Sequence, residues 1–284
     1  MNTSLPTLDV VIPCYNEAGD IAACLDALLV QADDIRRIIV VDNNSTDDTK
    51  HIVADYADAH DGITLITESR QGAQYARTTG LLAAQADVVA RIDADTRVAI
   101  SWAAALRTYY EAHPEVSVAT GATEYHDLPA RRLTNFMTWF FMYASNKLIG
   151  GSIGLYGANM SIRTTLWREI SDEVKMNPDI MEDLSISLVL QAKGYKIAYI
   201  KDAFARVSGR RMRTAPRQFA KYNAQWWRTY AVYGHHTQAA CVRVLSWFGN
   251  ALQAPLAWIL QHHDPATGAF SLRRVSRFEQ RILP

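Results

Sequence analysis

Leu8–Pro13 (LDVVIP) is a short apolar run rich in β-branched residues, and it predicts a buried strand. In residues 18–31, Ile21, Cys24, Leu25, Leu28 and Leu29 recur at helical spacing. Ile38–Val41 (IIVV) predicts a second buried strand. A helix follows to about His60, with Ser45 or Thr46 as its expected cap and Asp47 and Asp48 in its first turn. The same pattern gives strands at 63–66 and 88–92, helices at 72–85 and 100–113, and a strand at 116–120. Strands alternating with helices imply βαβ units and an α/β fold, a mostly parallel central sheet flanked by helices on both faces. After Ala130 the pattern changes to a long aromatic helix, and then to a glycine-rich stretch (Gly150, Gly151, Gly154, Gly157). A helix at 181–193 and a strand at 195–200 come next, and beyond Thr214 only helices are expected.

Composition adds limits. The chain has 284 residues, 49% of them hydrophobic, enough for a substantial core and far from a disordered composition. Three cysteines without metal-ligand spacing (Cys14, Cys24, Cys241) give no disulfide frame and no zinc site, and a reducing cytoplasm fits. No basic segment followed by an apolar one opens the chain, so no secretory leader is expected. The net charge of zero is not local. Residues 1–200 hold 26 acidic and 16 basic side chains, a net of −10, whereas residues 201–284 hold 3 and 13, a net of +10. Such asymmetry signals a charged partner, but nucleic acid is not expected.

Two apolar segments, 136–145 and 242–260, raise the question of a membrane. Both are too short or too interrupted to span one. Packing on the core is the first reading. Lying in a membrane interface is the second, because Trp247 and Trp258 share a helical face among basic residues.

Ligands of parallel α/β sheets bind beyond the carboxyl ends of the strands. Those ends carry Cys14-Tyr15-Asn16-Glu17, Asp42-Asn43-Asn44, Glu68 with Arg70, and Asp93-Ala94-Asp95. Turn and capping chemistry explains any one of them, but four polar ends on one edge point to a site. Asp93 and Asp95 offer hard oxygen ligands suited to Mg²⁺ or Mn²⁺ bound with substrate phosphates. No dinucleotide glycine fingerprint and no P-loop is present. The adjacent histidine pairs 235–236 and 262–263 point apart on a helix and make a poor metal site. Glu182-Asp183 at a helix start has an ordinary explanation in the helix dipole.

The ordered segments VIPCYNE, VVDNNSTDDT, DAD, GANMSIR and ED over residues 8–200 resemble the family 2 glycosyltransferases of the GT-A fold. The resemblance implies an inverting, nucleotide-sugar-dependent transferase that uses Mn²⁺ or Mg²⁺. Residues 1–205 would form its catalytic domain. Residues 206–284 would be a basic, Trp-rich helical extension packed on it and able to meet a membrane.

Residue by residue, the resemblance implies that Pro13, Tyr15, Glu17, Asp42, Arg77 and Asp93 bind the donor, a UDP- or GDP-sugar. It implies Asp95 with Asp93 at the metal, Gly157, Ala158 and Asn159 beside sugar and acceptor, and Asp183 as general base with Glu182 next to it. Arg210 or Arg211 would reach the diphosphate. Thr78 replaces the asparagine frequent after Ala-Arg, and Gln225-Trp226-Trp227-Arg228-Thr229 departs from the processive motif, which argues against a polymer-extruding synthase. The basic extension suits a polyprenyl-linked acceptor and peripheral contact with an anionic membrane on the cytoplasmic face. A nucleotidyltransferase would want a basic glycine-rich loop after the first strand, which is absent, and a non-catalytic nucleotide-sugar binder would not need Asp93, Asp95 and Asp183 intact.

Overall fold

The computed structural model describes residues 5–128, 136, 154–263 and 270–271. The aromatic segment 137–145 and Gly150 and Gly151 lie outside the described residues. One eight-stranded sheet organises the chain, in the order β3-β2-β1-β4-β7-β6-β8-β5. Its strands are β1 (Leu8–Cys14), β2 (Arg37–Asp42), β3 (Ile63–Thr67), β4 (Val88–Ile92), β5 (Arg97–Val98), β6 (Val118–Tyr125), β7 (Asn159–Arg163) and β8 (Ala198–Val207). β3, β2, β1 and β4 are parallel, as the alternation predicts. β7 is antiparallel to both β4 and β6, and β5 is antiparallel to β8. The helices are α1 (Ile21–Leu29), α2 (Thr49–Ala59), α3 (Ala73–Ala83), α4 (Trp102–Ala112), α5 (Thr164–Ile170), α6 (Glu182–Ala192), α7 (Pro216–Val232) and α8 (His236–Gln261).

Three elements are absent from the sequence reading. β5 is two residues long, and β7 and α5 follow the glycine-rich stretch in a segment to which the pattern assigns no element. The start of α2 also needs correction. Ser45 and Thr46 do not cap the helix: the Ser45 hydroxyl accepts from Asn16 N–H, and Thr46 N–H donates to the Asn16 side chain. Asp47 does the capping work instead, accepting from the Thr49 N–H at 3.0 Å. These contacts bind the loops after β1 and β2 to each other. Asn16 and Asn44, one in each loop, hold the left-handed conformation that asparagine tolerates better than most residues.

Both faces of the sheet are covered. One cluster packs α1 and α4 on β1, β2 and β4 through Leu25, Leu28, Trp102, Leu106 and their neighbours. The other packs α3, α5 and α6 through Leu81, Trp167, Ile186 and Leu190. A smaller cluster joins α6 to α7 and α8 through Leu184, Leu188, Tyr230 and Ala239. Cys14 and Cys24 are buried and free, whereas Cys241 is exposed. Among the described residues no helix is long and apolar enough to cross a membrane.

α3 sits unusually close to the sheet, and Gly80 permits it: a Cβ there would collide with the Val11 side chain and meet Val41 at 3.0 Å. The close approach matters because α3 carries Arg77 toward the strand ends. Gly80→Ala should therefore destabilise the fold by about 1–3 kcal/mol through overpacking. Urea unfolding reads this, and an unchanged midpoint would show that α3 lifts without cost.

Candidate active site

Sheet register gathers the strand ends. Cys14 pairs with Asp42, and Asp42 with Thr67, so the loops after β1, β2 and β3 leave from one level. The β1–β4 register brings Asp93 and Asp95 beside the loop after β1. The Asn43 side chain pins this edge, donating to the carbonyls of Glu68 and Arg70 and accepting from Gly72 N–H at 2.7 Å. Arg70 and the Thr79 hydroxyl hold the Glu68 carboxyl down to about 2, so it stays an anion that fixes the entry of α3.

Below this edge lies a buried charge network. Arg91, in the middle of β4, is fully buried. Its Nε donates to the Gly157 carbonyl at 3.0 Å, one terminal nitrogen pairs with Glu182 at 3.2 Å, and the other with Asp183. Arg77 from α3 donates to the second Glu182 oxygen at 2.8 Å and lies 3.7 Å from Asp93. Gly157 N–H donates to Asp183 at 3.0 Å. A side chain at residue 157 would run into Arg91 and Asp183, so glycine is needed by close approach.

The two neighbouring carboxyls respond differently. Burial pushes Glu182 up, and Arg91 and Arg77 only partly oppose it. Burial also acts upward on Asp183, but Arg91, Arg77 and the hydrogen bonds from Arg91 and Gly157 outweigh it, so Asp183 lies below the ordinary aspartate range. The network thus favours the anionic form of Asp183, while the Glu182 carboxyl is locked between two guanidinium groups.

The remaining site residues divide. Pro13 and Tyr15 are partly exposed at the rim, and Glu17 is buried behind them. Asp42 is buried, and its Oδ1 has no hydrogen-bond partner among the described residues. Arg210, on the 3-10 turn Arg210–Arg213, forms ion pairs with Asp95 at 2.8 Å, with Glu17, and with Asp20 at 3.5 Å. Arg211 points elsewhere and stacks on Tyr222 at 3.9 Å. Ala158 is buried in the turn before β7. Asn159 is turned into the sheet: its amide donates to the carbonyls of Ala122 and Ala203 and accepts from the Trp102 indole at 2.9 Å. Its side chain thus serves the junction of β7 with α4, β6 and β8. Arg91 is the residue that sequence reasoning missed; Asn43 stands there as a strand-end residue without an assigned role.

Among the described residues no three His, Cys, Asp or Glu side chains are arranged to hold a metal by themselves. Asp93 and Asp95 nevertheless fit a hard divalent cation that arrives with phosphate. They supply two carboxylates, and Mg²⁺-type ions commonly take the rest of their ligands from water and substrate.

Residues 9–169 match the family described as Glycosyl transferase family 2. Over 105 residues the chain is 36% identical to the glycosyltransferase AglE of Haloferax volcanii, an alignment covering 36% of this chain and 34% of that protein. Over 86 residues it is 42% identical to the uncharacterized glycosyltransferase Rv0539 of Mycobacterium tuberculosis, covering 30% of this chain and 35% of that one. The chain thus spans about a third of the curated relatives it matches.

Among solved structures, the mannosyltransferase PcManGT from Pyrobaculum calidifontis, in complex with GDP-Man and Mn²⁺, superposes with a TM-score of 0.63 at 22% identity. That match covers 95% of this chain and 78% of that one. S. aureus TarS 1–349 in complex with UDP-GlcNAc gives 0.55 at 18% identity, over 76% and 64% of the two chains. At such identities these likenesses speak to the fold, which is GT-A. The family match covers more than half of the sequence, from β1 to α5 and including Asp93, Asp95 and Gly157, and on that basis the chain belongs to Glycosyl transferase family 2.

Proposed function

We propose that this protein is an inverting glycosyltransferase that moves a sugar from a nucleoside-diphosphate sugar to an acceptor hydroxyl, with Asp183 as the general base. The observation that carries the reading is the ionised Asp183 carboxylate, held by Arg91 and Gly157 N–H at the edge where the strand ends converge. A base must be unprotonated and held in place before the acceptor arrives, and contacts that favour the anion and fix both Asp183 oxygens support that role.

The donor's place follows from the neighbouring groups. The unpartnered Asp42 Oδ1 suits an N–H of a nucleobase, with Pro13 and Tyr15 lining the rim. Neighbours that bind GDP-Man or UDP-GlcNAc support a nucleotide-sugar donor. Asp95, with Asp93, would hold a divalent cation, which when bound neutralises charge on the diphosphate. Arg77 and Arg210 lie beside these carboxylates and supply fixed positive charge to the leaving diphosphate. As the acceptor oxygen attacks the anomeric carbon, Asp183 takes its proton. The bond to the diphosphate breaks on the opposite face, which inverts the anomeric centre. An exposed apolar and basic C-terminal face favours an acceptor presented at a lipid surface, on the cytoplasmic side where nucleotide sugars are made.

Asp183→Asn should lower transfer by roughly 10²–10⁴-fold, the range for a general base, while nucleotide-sugar binding persists. Loss of binding as well, seen by calorimetry, would remove the base assignment. Asp95→Ala should abolish activity and the response to added Mn²⁺ together, and full turnover in excess EDTA would contradict the metal reading. Arg91→Lys keeps one charge but loses the fork that serves both carboxyls. Asp183 then loses part of what holds its pKa down. Because the base works only when ionised, the acid limb of kcat against pH should move upward, with activity recovering at alkaline pH. A uniform loss at all pH values would instead mean damaged folding.

A further inference from the structure

α8 is built the wrong way round for a helix on a globular surface. The side it turns inward carries Ala239, Gln253, Ala257 and Leu260. The side it turns to solvent carries Val244, Trp247, Phe248, Leu252, Trp258 and Ile259, with Trp247 67% and Leu252 63% exposed. At helical spacing these six fall within an arc of about 140°, opposite the buried residues. An apolar stripe of this size on an outward face marks a surface that something else covers.

The charge around the stripe narrows the choice. Residues 214–263 contain no Asp or Glu, whereas Arg217, Lys221, Arg228 and Arg243 lie among them. Arg217, Lys221 and Arg243 are exposed. α7 and α8 run antiparallel, tied by Asn223 to Asn250 at 2.8 Å, so Arg217 and Lys221 flank the C-terminal half of the stripe. Arg243 borders the other half, 5.2 Å over the Trp227 ring. A second copy of this chain would bring like charges together across the contact. An anionic phospholipid surface receives the tryptophans at its interface and the basic side chains at its headgroups.

The platform is joined to the candidate active site at two points. Gln253 on the inward side of α8 donates to the Thr214 carbonyl at 3.0 Å, at the end of the turn that begins with Arg210. The Thr229 hydroxyl of α7 accepts from Met181 N–H at 2.8 Å, one residue before Glu182. We propose that the outward face of α8 docks on an anionic membrane and presents the Asp183 edge to an acceptor hydroxyl carried by a lipid. The docking stands on the face itself; the acceptor class rests on the glycosyl-transfer reading above.

Flotation of the full chain with phosphatidylcholine vesicles, with and without phosphatidylglycerol, tests this at low and high salt. Binding should require the anionic lipid and weaken with salt. A variant carrying Val244→Glu, Trp247→Glu and Leu252→Glu changes outward positions and spares Trp258, whose ring packs on buried His262. It should melt like the parent and keep its thermal shift with nucleotide sugars, yet bind vesicles at least ~10-fold more weakly. Failure of the parent to float at low salt, or equal flotation of the variant, would overturn the docking. So would a parent dimer that the variant converts to monomer without any vesicle binding, since the stripe would then be a self-interface. Vesicle binding without stabilisation by any nucleotide sugar would leave the docking intact and count against the glycosyl-transfer reading instead.

Discussion

A guanidinium with no access to solvent, set in the middle of β4, is the charge around which the site is arranged. Two adjacent carboxyls at the start of α6 could not be brought to the sheet edge without a cation between them, because removing isolated charges from water costs several kcal/mol each. Arg91 answers both carboxyls and the Gly157 carbonyl at once. Strand alternation explains how it gets there. On β4, Ala90 and Ile92 face the cluster under α1 and α4, whereas Val89 faces the cluster under α3 and α6, and Arg91 shares that side. The same alternation places Asp93 two residues on, within reach of Arg77.

The network also sets the two neighbouring carboxyls apart. Glu182 accepts from two arginines and is buried on all sides, so its role is to hold Arg77 and Arg91 in register. Asp183 keeps part of its side chain open to solvent, and Arg91 and Gly157 N–H hold it as an anion. At the outer rim the balance is different. Arg210 sits among Glu17, Asp20 and Asp95, so Asp95 already has a positive neighbour.

The elements legible from sequence are those whose burial shows as a run or a period. β1, β2 and β4 are nearly continuous apolar strands, and α1 and α4 carry clear stripes. β7 escaped because Asn159 and Ser161 are buried by hydrogen bonding, not by hydrophobicity, and so leave no apolar run. Arg91 escaped for the opposite reason. A single basic residue in VVARI looks like an interruption in a strand, and the partners that justify it lie more than 60 residues away. The placing of Asp183 came from resemblance alone, because a carboxylate in the first turn of a helix is ordinary until its depth and partners are known. For Asn159 the motif gave no sign that the side chain serves the Trp102–Ala122–Ala203 junction.

The division of charge along the chain acquires a spatial meaning. The acidic strand ends and the basic helical pair are not separate surfaces joined by a loose linker. Thr229 ties α7 to the residue before Glu182, and Gln253 ties α8 to the turn that delivers Arg210. A body resting on the outer side of α8 is therefore held at a fixed orientation to Asp183. The short connections leave little freedom to adjust that orientation independently of α6, since Leu184 and Leu188 pack against Tyr230 and Ala239. Packing alone therefore couples the position of α8 to that of α6 and of the turn that carries Arg210.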